Sequence, residues 1–164
     1  MNELQNFIDC LRQELTQYGE MLALLDHQQD AVVRCQPTLI YEGVAAIDAQ
    51  TQVLQTARDA RENSRRALAS HYHQPDPAPV SSLINVLPPD YRPLLDALVQ
   101  ENNHLLTRVQ HRARQNHLLL SRSLETMRHI IGGLCAAPTP PVYNDSGRIL
   151  PLPVSGRFLS EALC

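Results

Sequence analysis

Glu101-Asn102-Asn103-His104 has the Glu-x-x-His spacing with which helical bundles build carboxylate-bridged metal sites. Residues three apart on a helix face the same side, so both side chains could reach one ion. Such a centre also needs a second copy of the pair and inward Glu residues on other helices, and no second copy exists here. A solvated rim pair is the reading that follows. His71-Tyr72-His73 lies in a proline-rich stretch with no cysteine nearby, and two histidines fall short of zinc's three or four ligands. No Gly-rich phosphate loop, Ser/His/Asp arrangement or Cys-His pairing stands in a recognisable context. These residues point away from an enzyme and imply no metal and no cofactor.

Arg108, His111, Arg112 and Arg114, with Arg122 and Arg128 beyond, form a basic band. A nucleic-acid reader would need aromatic or amide partners beside such a band and a basic domain overall. The chain instead carries a net charge of −3. Residues 1–36 hold six acids and two Arg, whereas residues 91–134 hold three acids and six Arg. Opposite signs predict that the first and last long helices are neighbours, each exposed pair contributing only tenths of a kcal/mol.

Only seven residues are aromatic, and Trp is absent. A core made of Leu, Ile, Val and Ala suits helix seams better than sandwiches. All fourteen basic residues are Arg. The opening Met-Asn-Glu-Leu carries no secretory signal, and no run approaches the roughly 18 apolar residues of a membrane span, so a cytoplasmic location without membrane insertion is expected. Cys10, Cys35, Cys135 and Cys164 are then expected as free thiols.

Apolar residues at Leu4, Ile8, Leu11, Leu15, Tyr18, Leu22, Leu25 and Val32 step by threes and fours, with Gln29 in the one polar slot. This heptad seam predicts a first helix over about 2–35. Pro37 begins a second, to about 70, although one kinked helix would fit the same pattern. Its seam of Ile40, Val44, Ile47, Thr51 and Leu54 thins toward Arg58, Arg61, Arg65 and Arg66, which predicts weaker burial at that end. Five prolines between His71 and Asp90 mark a loop at 71–89, with room for one turn at Ser82–Val86 or for a crossover.

A third long helix is expected over about 90–133, capped by Asp90 and stopped by Gly132-Gly133. At 1.5 Å per residue it would be roughly 65 Å long against roughly 50 Å for the other two, overhanging them by about 15 Å. The expected fold is all-α: long antiparallel helices forming a three-helix bundle or coiled coil over 1–134, followed by a flexible proline-rich tail over 135–164.

Four polar residues, Asn102, Arg112, Asn116 and Ser123, occupy seam positions of that third helix. One buried polar residue commonly sets coiled-coil register. Four suggest a partly wet groove that closes on a partner.

The residues that remain resemble a known family. Arg114-Gln-Asn116-His-Leu-Leu-Leu-Ser-Arg-Ser-Leu on the third helix is similar to the FlgN family of flagellar export chaperones. Val142-Tyr143-Asn-Asp-Ser-Gly147-Arg148 resembles the family's Tyr-x-x-x-Gly segment, and Gly156-Arg157-Phe-Leu-Ser-Glu-Ala162 its terminal segment. The chain departs from the pattern in a longer proline-rich loop and an Ile149–Val154 insert. The resemblance implies a type III secretion chaperone that binds the C-terminal helical segments of the hook–filament junction proteins, of the FlgK and FlgL type. It would prevent their premature assembly and deliver them to an FlhA-type component of the export gate. The overhanging residues Asn116, Leu119, Leu120, Ser123, Met127, Ile130, Ile131 and Leu134 are the expected cargo surface, with Tyr143 assigned to gate docking. The alternative is a structural coiled-coil protein that self-associates through the same stripe, as a homo-oligomer with no export role.

Overall fold

The computed structural model describes residues 2–75, 77 and 79–135, without the side chains of Asn2, Leu134 and Cys135. In chain order these form helices α1 (Asn2–Val33), α2 (Pro37–His71), α3 (Val80–Val86) and α4 (Arg92–Cys135), with a 3-10 turn at Pro89–Tyr91 before α4. The described residues are all-α and contain no strand. They fall into two compact units, one ending at Arg122 and the other beginning at Ser123.

The heptad seam explains α1. Leu4, Ile8, Leu11, Tyr18, Leu25 and Val32 are buried, as are Phe7 and Met21 beside them. Helix α2 returns antiparallel. Gln50 donates to the Gln17 side chain at 2.8 Å, and Asn6 donates to the Ser64 hydroxyl at 3.0 Å.

Two separate helices, not one kinked helix, meet at residues 34–36. Cys35 is left-handed (φ 53°). Its N–H reaches the Val32 carbonyl and the Gln36 N–H the Ala31 carbonyl, which is the Schellman closure of a helix end. Helix α2 ends in the same way, with His73 at φ 52° and the Gln74 N–H on the Ala69 carbonyl. Glycine usually fills this position, so neither stop carries its usual residue.

The core of the first unit is richest at one end of the bundle. Leu4, Phe7, Ile8 and Leu11 of α1 pack with Leu68 of α2, Ile84 and Leu87 of the α3 segment, and Leu95 of α4. Arg92 ties this corner together by donating to the carbonyls of Leu87 and Asn85, both at 2.9 Å. The proline-rich segment is therefore packed, not merely a spacer, and its short helix covers the end of α2. A second cluster joins Tyr18, Met21 and Leu25 to Leu54, with Ile47, Leu105, Leu106 and Val109 against it.

The expected fading of α2 toward its C-terminus is reversed. Leu54, Ala57, Ser64, Arg65, Leu68 and Ala69 are buried, while Tyr41 and Val44 near its start are exposed. The arginines do not mark a solvated end because carboxylates meet them. Glu14, only 1% exposed, lies 3.4 Å from Arg61 and 3.9 Å from Arg58, and Glu62 takes Arg65 at 2.7 Å.

Helix α4 runs parallel to α1. Asn102 donates to the Leu11 carbonyl at 3.1 Å and Asn116 to the Leu25 carbonyl at 2.7 Å. The helix also continues through Gly132 and Gly133 to Cys135, so the glycine pair is not its stop. Glycine inside a helix costs about 1 kcal/mol per residue, too little to end it here.

Candidate functional site

The wet-groove expectation fails at its two asparagines. Asn102 is 5% exposed and Asn116 2%. Each amide N–H is taken by α1, and Asn116 also donates to Gln28 Oε1 at 3.1 Å. Each amide oxygen is buried without a partner. Asn116 thus belongs to the resting bundle and is not available as a contact surface. A partner carbonyl can be foreseen only when the facing helix is known, so the sequence pattern alone reads such a residue as unsatisfied.

Arg112 is the second tie. Its Nε lies 2.6 Å from Asp26 Oδ1, and its Nη1 donates to Gln29 Oε1. The polar slot at Gln29 and the polar slot at Arg112 are therefore one interaction, and the charge contrast between the two helices is partly spent here. Arg108, Arg114 and Arg128 stay on the exposed surface.

Within the first unit, Leu119 and Leu120 are half-buried, while Leu118 is 57% exposed. Within the second, Ser123 is half-buried, and Leu124, Met127, Ile130 and Ile131 are between 54% and 60% exposed. Spacing by threes and fours places Leu124, Met127 and Ile131 on one face and Met127 with Ile130 on its flank. Four large apolar side chains are thus exposed within eight residues, a grouping of the kind that interaction surfaces carry. Leu124 is not a seam residue: it belongs to a second stripe with Met127, on a wider apolar face of the helix. Leu134 lies in α4, but its side chain is outside the described residues, as is the whole of Tyr143.

Glu101 and His104 are 3.9 Å apart with both side chains more than half exposed. Among the described residues, no three His, Cys, Asp or Glu side chains stand close enough to hold a metal ion. A groove of about 420 Å³ between α1 and α4 is lined by Leu22, His104, Arg108, His111 and Arg112. It contains no nucleophile paired with a base. A smaller cavity of about 260 Å³ lies among Phe7, Leu11, Arg61, Val80, Val99 and Asn102. Ordinary small-molecule sites start near ~300 Å³, so it is small for a metabolite.

Electrostatics in the bundle are structural. Burial pushes the Tyr18 hydroxyl above its usual 10.0, against the opposing hydrogen bond from Arg58. The Arg65 hydrogen bonds hold the Glu62 carboxyl below its usual 4.5. Both groups take part in contacts within the first unit.

No described helix is long and apolar enough to cross a membrane. Comparison with curated proteins and with solved structures found no match. The family model for the FlgN protein matches residues 1–150. The match extends over most of the chain: it belongs to the FlgN family, and with it carries that family's general role as a flagellar export chaperone.

Proposed function

We propose that this chaperone works in the cytoplasm and takes the C-terminal helical segment of a hook–filament junction protein, of the FlgK or FlgL type. The seat is the exposed stripe of α4. The observation that carries the reading is the set Leu124, Met127, Ile130 and Ile131, all open on one stretch of helix. An amphipathic cargo helix laid along it would bury apolar faces on both sides, as helix-in-groove recognition requires. Each Leu or Ile fully buried contributes roughly 1.5–3 kcal/mol, so three or four contacts suffice for micromolar affinity after association costs. Covering the cargo segment keeps it from assembling early. Leu119, Leu120, Ser123 and Leu134 extend the seat in either direction along the helix. Tyr143 and its flank serve delivery to an FlhA-type gate component, separately from cargo binding.

The test is capture of C-terminal peptides of hook-associated proteins by a Met127→Asp/Ile130→Asp double variant. Both side chains are exposed, so the fold should survive, and capture should fall at least tenfold. Undiminished capture by a folded variant would overturn the assignment. A normal secretion level with Tyr143→Ala would overturn the role given to the tail.

A further inference from the structure

The charge contrast between α1 and α4 is only partly consumed where the two helices meet. Arg112 takes Asp26, whereas Arg108, one turn earlier on α4, meets no carboxylate among the described residues. Arg108 and His111 are both exposed, and with His104 they form one wall of the groove of about 420 Å³ whose other wall is Leu22 of α1. The two nearby acids are engaged at its ends: Glu101 lies 3.9 Å from His104, and Asp26 is held by Arg112. The open centre is therefore a row of hydrogen-bond donors facing an apolar side chain.

The shape of that row selects the occupant. From His104 to Gln115 the groove follows α4 for roughly 16 Å, at 1.5 Å per residue. That is the length of about five extended residues. A single phosphate would reach only one or two of the donors. Successive side chains of an extended strand point to opposite sides, so alternating acidic and apolar residues would turn carboxylates toward α4 and apolar groups toward Leu22. Carboxylates two residues apart lie roughly 6.6 Å from each other, close to the roughly 6 Å rise from His104 to Arg108. A nucleic-acid strand also carries anions along its length. No Phe or Tyr lines this groove to stack its bases, and the chain as a whole is at −3.

We propose that the groove is a second protein-binding site, which takes an extended acidic segment of a partner whose carboxylates alternate with apolar side chains. Its central contact is a carboxylate on the Arg108 guanidinium, with the His111 ring beside it and the apolar neighbour on Leu22. All of these residues belong to the unit that ends at Arg122, so the site is separate from the stripe at Leu124–Ile131. The chaperone can then hold its cargo and an acidic partner at the same time.

Fluorescence anisotropy of a labelled Glu-Leu-Glu-Leu-Glu peptide with the full chain tests this. Saturable binding that weakens as salt is added is expected. Arg108→Glu should lower the affinity at least about tenfold, the effect of losing one charged hydrogen bond, and His111→Ala should lower it less. Circular dichroism should be unchanged, because both side chains are exposed. Met127→Asp/Ile130→Asp should leave this peptide bound, whatever it does to cargo capture. No saturable binding, or binding indifferent to Arg108→Glu, would overturn the proposal. So would equal affinity for Glu-Glu-Glu-Leu-Leu, which has the same charge without the alternation, or tighter binding of an oligothymidylate.

Discussion

Asn116 donates its side-chain amide to the main-chain carbonyl of Leu25 at 2.7 Å, while its own amide oxygen is buried with no partner. One half of the residue is well used and the other half costs desolvation. Such a side chain contributes more to the uniqueness of a helix pairing than to its stability. Asn116→Ala should therefore lower the unfolding free energy by about 1–2 kcal/mol, through the lost bond and a small void. Asn116→Leu should cost less than the alanine, because it removes the unpaired oxygen and also fills the void. Urea denaturation of the two variants checks the contrast.

Glu14 should be the most sensitive charge in the bundle. It accepts from the Tyr18 hydroxyl at 3.1 Å and is flanked by Arg58 and Arg61, yet is almost wholly buried. Breaking a buried pair costs about 3–5 kcal/mol. The two arginines are about one-third exposed and can rehydrate, so Glu14→Ala should cost about 2–3 kcal/mol in the same experiment.

Glu62 sets part of the acid limb of stability. Its carboxyl is held below its usual 4.5 by Arg65, so it binds fewer protons folded than unfolded. Its contribution is present above about pH 4.5 and is lost as pH falls through the depressed folded value. Tyr18 acts at the other limb. Its raised value means that its contribution is present below pH 10.0 and is lost as pH rises beyond it. Denaturation midpoints measured against pH should show a shallower acid limb for Glu62→Gln and a shallower alkaline limb for Tyr18→Phe.

Three backbone positions offer stabilisation. An added Cβ at Gly19 meets nothing within 4 Å, so Gly19→Ala should gain about 0.5–1 kcal/mol of stability. Cys35 and His73 sit in left-handed conformations that favour glycine. Cys35→Gly and His73→Gly should each gain about 0.5–1 kcal/mol by relieving the Cβ conflict. Thermal melts of the three variants provide the check.

Much of this architecture is readable from residue spacing, and the exceptions share a cause. The α1 seam of Leu4, Ile8, Leu11, Tyr18 and Leu25 is buried because a heptad depends only on its own helix. Glu14 lies on the buried side of the same helix and reads as polar surface. Only Arg58 and Arg61, more than forty residues away, make its burial tolerable. The same holds for Asn102 and Asn116, whose partners are on another helix. The stops at Cys35 and His73 lack the glycine that announces such turns, and Gly132-Gly133 announces one that does not occur. The exposed stripe is partly legible: Met127 and Ile130 fall on the seam and Ile131 lies beside it in the expected cargo surface, whereas Leu124 is in neither.

The two asparagine ties have a consequence for how this chain can change length. Asn102 and Asn116 are 14 residues apart, and so are their acceptors, Leu11 and Leu25. The pair works as a ruler laid along two helices at once. One residue inserted between the ties in α4 alone would turn the second amide by about 100° and raise it by about 1.5 Å, away from its carbonyl. A matching single insertion in α1 would restore the rise but not the turn, since both helices would rotate in the same sense; a matched heptad, about 700° of turn, restores both. Natural variants of this bundle should therefore gain or lose residues in α1 and α4 in step and by whole heptads, while the turn at 34–36 varies more freely.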